Sequence, residues 1–191
     1  MGHDDKRQRI LAAATAVFEK RDFHQVLVSE VASRAGVGKG TVYLYFPTKD
    51  ELHRGALEAS LERVALEVEA AADQDAPAGD VLREIVVVIL RFFWRRPHLL
   101  TLVQRYEQRR PRRATERRQR VVRAVERVLV RHRIGGGASG RRLAVAFLLG
   151  LARAGILEHG AGDRPEAVSG RIVDVYLHGI GAAARRQRRA A

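Results

Sequence analysis

A chain of 191 residues with 46% hydrophobic content can bury one sizeable core, or a small domain joined to a larger one. The absence of cysteine excludes a disulfide framework, a thiolate zinc site, an iron–sulfur cluster and a cysteine nucleophile, and it fits a reducing, cytoplasmic compartment. The formal net charge is +13, yet residues 1–50 hold eight basic against six acidic side chains and all 27 basic residues beyond them are arginine, so overall charge assigns no partner by itself.

Apolar residues recur at helical rather than alternating spacing, which predicts an all-α protein. Asp4 or Asp5 caps a first helix with Ile10, Leu11, Ala14, Val17 and Phe18 on its inner face, ending near Lys20 to Asp22. A short helix follows at Val28 to Ala35, stopped by Gly36, and a third runs from about Lys39 to Phe46, closed by Pro47. Thr48 and Glu51 form a capping-box pattern that opens a fourth helix through Leu52, Leu57, Leu61, Val64 and Val68. The polar break 73–80 reads as a linker. Val81 to Arg96 is apolar nearly all round, as a helix surrounded by others would be. Further helices are predicted at about His98 to Gln108, Arg112 to Arg133, Arg141 to Glu158 and Arg164 to Arg186, nine in all, with a glycine loop at 135–137. No run approaches the roughly 18 uninterrupted apolar residues of a membrane span, and MGHDDKRQR lacks the apolar centre of a signal peptide, so a soluble protein with no membrane partner is expected.

The stretch AGVGKGTVYLYF (35–46) carries the chemistry. Gly38-Lys39-Gly40-Thr41 resembles the end of a nucleotide phosphate loop, but Ser33 stands where that motif needs its first glycine and Gly40 where it needs serine or threonine. The preceding SEVASRA reads as helix, not as the buried strand that a phosphate loop follows. As a helix-turn-helix the same residues meet fewer exceptions: Gly36 makes the turn, Val37 locks the pair, and the first-turn amides of Lys39, Gly40 and Thr41 point at an anion. A DNA backbone is such an anion, and the Thr41, Tyr43 and Tyr45 hydroxyls with Lys39 and Lys49 suit phosphate and base edges. Phe46 is expected in the small core with Phe18, Val31 and Leu52.

Residues 4 to about 64 resemble the DNA-binding region of the TetR family of bacterial transcriptional regulators. The resemblance lies in ILAAATAVFEKRDF and VSEVASRAGVGKGTVYLYFPTKDEL, with the Ala-Gly-Val turn, Lys-Gly-Thr, Tyr-x-Tyr-Phe and the following Lys-x-x-Leu. It implies a three-helix head at 4–64 with the helix-turn-helix at about 27–46, and a six-helix body at 65–191 that binds a small-molecule effector and forms a homodimer through its last two helices. Carried over position by position, Lys39, Gly40, Thr41, Tyr43, Tyr45 and Lys49 fall where family members touch DNA, and Gly38 and Ser29 complete the expected DNA-facing set. Where the family has threonines opening the second helix, Val26 and Leu27 stand, so Glu30 is expected to lack a capping-box partner. A twofold dimer would set two recognition helices roughly 34–36 Å apart, or somewhat more, on a palindromic operator. The implied protein is a ligand-responsive regulator, a repressor released from operator DNA by its effector, with the fourth helix carrying the movement.

In the body, Phe92, Phe93, Trp94, His98, Tyr106 and Phe147 are candidates to line an effector cavity, with Arg91, Arg105 and Glu107 able to orient a polar group. Leu148, Leu151, Ala154, Gly155, Ile172 and Tyr176 are candidates for the dimer interface. The twelve arginines of 105–133 read as a solvated helix face. No Gly-x-Ser-x-Gly, no His-Glu-x-x-His and no histidine–carboxylate cluster occurs, and no metal site, cofactor or catalysis is expected. The alternative reading is a helical nucleotide-binding protein or enzyme that uses Gly38 to Thr41 as its phosphate loop.

Overall fold

The computed structural model describes residues 3–21, 23–95, 103, 111–160 and 162–179. Among them are eight α-helices, one short 3-10 turn and no strand. Of the helix expected at about His98 to Gln108 only Val103 is described, helical and buried, and His98, Arg105, Tyr106 and Glu107 lie outside the described residues, as do Asp22 and the chain beyond 179. Among the described residues no helix is long and apolar enough to cross a membrane. The chain divides into two compact units, residues 1–63 and 64–191.

In the first unit, α1 spans His3–Phe18 and buries Ile10, Ala13, Ala14 and Val17. It stops before Lys20 because the Lys20 amide already bonds one residue short, to Val17 O at 3.2 Å, and that tightening ends the α ladder. A 3-10 turn (Phe23–Gln25) leads into α2 (Val28–Ala35), whose inner face is Val28, Val31, Ala32 and Ala35. The α2 entry differs from expectation. Glu30 reaches back to accept a hydrogen bond from the Leu27 amide at 3.2 Å, so half of a capping box survives although the leucine side chain has nothing to accept with. The other carboxylate oxygen of Glu30 accepts from Arg21 Nη1 at 3.0 Å, and these bonds hold the carboxyl below its ordinary range.

Gly36 ends α2 at φ 64° and ψ 41°, and the Val37 amide returns to Ala32 O at 3.0 Å. Helix α3 (Lys39–Tyr45) then runs until Phe46, which turns to extended backbone ahead of Pro47. Thr48 Oγ1 accepts from the Glu51 amide at 3.1 Å, as its spacing predicts, and starts α4 (Lys49–Ala72). Val26, Val42, Phe46, Leu52 and Ala56 close the small core over α1 and α2, with Phe18, Leu11 and Tyr45 packed against it. The division between units falls inside α4, after Arg63.

The second unit contains the end of α4, then α5 (Ala78–Trp94), α6 (Pro111–Arg131), α7 (Ala138–Leu157) and α8 (Pro165–His178). The expected linker is only a five-residue turn, 73–77, inside this unit, because Pro77 O accepts from the amides of Asp80 and Val81 and opens α5 early. Helix α5 packs against α6, α7 and α8. That surround explains its nearly unbroken apolar sequence: Val81, Leu82, Ile85, Val86 and Leu90 are all fully buried. The arginine-rich helix is less solvated than expected. Arg120 makes a bidentate pair with Glu69 (3.0 and 2.6 Å), Arg127 bonds Asp73 and Arg131 caps Gln74 O, so one stripe of α6 grips the end of α4.

Candidate nucleic-acid interface

The two sides of α3 are chemically distinct. Val42 and Phe46 are buried, and Thr41 and Tyr45 flank them half-buried. Lys39, Gly40, Tyr43 and Leu44 occupy the opposite, exposed arc. The first ladder bond is Val42 N–H to Gly38 O, so the amides of Lys39, Gly40 and Thr41 fall outside the intrahelical ladder, as first-turn amides do. Lys39 Nζ sits 6.0 Å from the Tyr43 ring centre, a contact that keeps its charge on this arc. There is no acidic residue in α3. Of the residues expected to face DNA, Ser29, Gly38, Lys39, Gly40 and Tyr43 are exposed, Thr41 lies at the margin, and Tyr45 packs against the small core rather than standing on the outer arc. Lys49 is half-buried, with Nζ 4.5 Å above the Phe23 ring.

Two positioning contacts escape sequence reasoning. Arg9 Nη2 donates to Ala35 O at 2.6 Å, so a guanidinium from α1 caps the negative end of α2 at the turn that leads into α3. Nothing in the local pattern around Arg9 signals a partner 26 residues away. Arg7 likewise lies 5.3 Å from the Phe46 ring centre, at the other end of α3.

His53 is wedged between Phe18 (4.6 Å) and Phe23 (5.1 Å). Burial holds its imidazole below the usual 6.5; Asp50 opposes this and Lys49 reinforces it. Because the folded form prefers neutral histidine, its contribution is full above the unfolded value and is lost as pH falls through the lower folded value. Acidification from pH 7 to below 6 is therefore expected to lower the melting temperature of the first unit. In His53→Gln that part of the pH dependence should vanish, and an unchanged pH slope in differential scanning calorimetry would contradict the assignment.

In the second unit the candidate cavity residues separate. Phe92 is buried edge-on against Phe93 at 5.1 Å. Trp94 donates its indole N–H to Gly155 O at 3.2 Å and stacks on His159 at 4.5 Å, so it ties α5 to the end of α7. Arg91 is paired with Glu166 (3.1 and 2.6 Å) rather than poised for a ligand. Phe147 does not point inward: it is 60% exposed on the outside of α7. His98 and Tyr106 lie outside the described residues. A half-open groove of about 260 Å³ runs between α7 and α8, walled by Leu151, Ala154 and Val175 with Glu158, His159 and Arg171 at its polar end.

The candidate dimer residues divide as well. Leu148 is fully buried and Ile172 nearly so, both within the single chain. Gly155 serves close packing of α7 on α8, since a Cβ there would meet Ile172 Cδ1 at 2.8 Å. Leu151 and Tyr176 are half-buried and Ala154 is exposed. The outward stripe of α7 is instead Leu143, Phe147, Gly150, Ala154 and Leu157, all exposed and spaced four, three, four and three apart. That spacing is the four–three repeat found where helices pack along one another. Among the described residues no group of three or more potential metal ligands comes together.

Comparison with known proteins gives a match over this same stretch. Residues 10–56 match the family described as bacterial regulatory proteins, tetR family. The HTH-type transcriptional repressor KstR of Mycolicibacterium smegmatis is 40% identical over 75 residues, 39% of this chain and 35% of that protein. The chain spans 30% to 50% of the length of the first curated relatives it matches. Among solved structures, a TetR/AcrR-family transcriptional regulator from Thermobifida fusca is similar with a TM-score of 0.72 at 21% identity, over 92% of this chain and 98% of that one. FadR of Bacillus subtilis in complex with stearoyl-CoA is similar with a TM-score of 0.62 at 21% identity, over 91% and 98%. At these identities the structural likeness establishes the fold.

Proposed function

We propose that this chain, whose residues 10–56 match the tetR family of bacterial regulatory proteins, is a ligand-responsive transcriptional repressor that binds a palindromic operator as a homodimer and leaves it when a small-molecule effector binds. The observation that carries the reading is the outer arc of α3: Lys39, Gly40, Tyr43 and Leu44 exposed together on a helix with no carboxylate, behind a turn held by Gly36 and Arg9. Lys39 and the Thr41 hydroxyl contact phosphate, and Tyr43 reaches the groove. The α7 seam supplies the second subunit, since one head alone covers one half-site. The effector acts by binding unequally to the two arrangements of the dimer. An acyl-CoA, the ligand held by the FadR neighbour, is the first compound to screen. The phosphate-loop alternative loses support, because α2 stands where that motif requires a strand.

Selection from a random duplex library followed by footprinting should return one palindromic sequence. Lys39→Ala is expected to weaken binding to it about tenfold and to lower the salt slope by about one ion per half-site. A protein that selects no sequence, or that binds ATP in a manner abolished by Lys39→Ala, would overturn the reading.

A further inference from the structure

We propose that Leu44 reads a 5-methyl group in the major groove, so that one thymine of each half-site lies against its side chain. The inference rests on the DNA-binding reading above and names a base that this reading leaves open. Leu44 is 83% exposed, the most exposed of the large apolar side chains among the described residues. It is no part of the small core, to which this stretch contributes Val42, Tyr45 and Phe46. One turn earlier on the same arc stands Gly40, where an added Cβ would meet nothing within 4 Å. Helical side chains lean toward the N-terminus of their helix, so the Leu44 isobutyl group overhangs a position with no side chain of its own. A flat or methyl-bearing group can therefore approach Leu44 from the Gly40 side without displacing protein.

The surroundings specify the occupant. Lys39 lies on the same arc and α3 carries no acidic residue, which complements a polyanion and not a second apolar protein surface. Within duplex DNA the apolar group presented to the major groove is the thymine C5-methyl; the other bases present donors and acceptors there. Leucine can neither donate nor accept a hydrogen bond. Against guanine, adenine or cytosine it would cover polar edges without satisfying them, and against thymine it covers a methyl. The same contact would accept 5-methylcytosine in place of thymine and would distinguish thymine from uracil.

The test uses the full chain and duplex oligonucleotides carrying the sequence the protein selects from a random library. Each thymine is replaced in turn, symmetrically in both half-sites, by deoxyuridine. For the wild type, one symmetric pair is expected to cost about fourfold per half-site in affinity, the value of one buried methyl group. In Leu44→Ala the same replacement should cost less than about 1.5-fold, because the partner of the methyl is gone. Alanine is the best helix former and Leu44 is on the surface, so circular dichroism and thermal melting should be unchanged. Leu44→Gln should move the selected base at that position away from thymine. If the wild type tolerates deoxyuridine at every position, or if the penalty persists in Leu44→Ala, the inference fails while the DNA-binding reading stands. If the wild type selects no sequence at all, the DNA-binding reading fails and takes the inference with it.

Discussion

Gly36→Val is expected to abolish operator binding and to lower the melting temperature of the first unit by several degrees. The backbone there sits at φ 64°, in the left-handed region. A non-glycine residue pays about 1–2 kcal/mol for that conformation, and a β-branched one more. A side chain also displaces a neighbour, since its Cβ would lie 2.8 Å from Arg9 Nη2. Arg9 can swing away, but only by giving up its bond to Ala35 O, worth about 1.5–3 kcal/mol for a charged donor. The two losses together come to about 2.5–5 kcal/mol, a large part of what holds a small unit folded. Gly36→Asn tolerates the left-handed backbone and still displaces Arg9, while Arg9→Met removes the clasp and leaves the turn alone. The series should rank Val as most harmful, with Asn and Arg9→Met intermediate, in both thermal melting and mobility-shift titration. Operator affinity of Gly36→Val within twofold of the wild type would refute the role given to the turn.

Opposite outcomes are expected at the neighbouring positions 147 and 148. Leu148 is fully enclosed by its own chain, so Leu148→Ala opens a cavity costing about 2–5 kcal/mol. Dimerisation should survive that change, at temperatures where the second unit remains folded. Phe147→Asp puts a carboxylate on the outward seam of α7 and removes no core contact, so the folded protomer should persist as a monomer in analytical ultracentrifugation. Its melting temperature should stop depending on protein concentration, because dimerisation no longer adds to stability by mass action. Operator binding should weaken strongly, since the two heads no longer bind as one. A Phe147→Asp protein that remains dimeric would show that the α7 seam is not the contact between subunits.

The first unit was legible because its signals are local. Gly36 stops α2, Pro47 closes α3 and Thr48 caps α4 through interactions spanning at most five residues, and each of these elements runs where its sequence predicts. Tyr45 lies half-buried against the small core for an equally local reason: a helix of 3.6 residues per turn puts positions 42, 45 and 46 on one side, and that side faces the core. Leu44, one residue away, carries no polar group and so drew no attention until its exposure was known.

In the second unit, composition determined that helices form but not which way they face. α7 is apolar around most of its circumference, so Phe147 and Leu148 are equivalent in pattern and only the packing of α5 and α8 distinguishes inside from outside. Gly155 could serve any close helix approach, and α8 of the same chain takes it. The arginines of α6 become specific only when Glu69, Asp73 and Gln74 lie opposite them. The sequence by itself determined the all-helical class, the helix-turn-helix and its turn, because caps, breakers and periodicity act within a few residues. The tertiary structure alone decided the Arg9 clasp, the sidedness of α7 and the exposure of Leu44, because each depends on what a distant part of the chain brings to the same place.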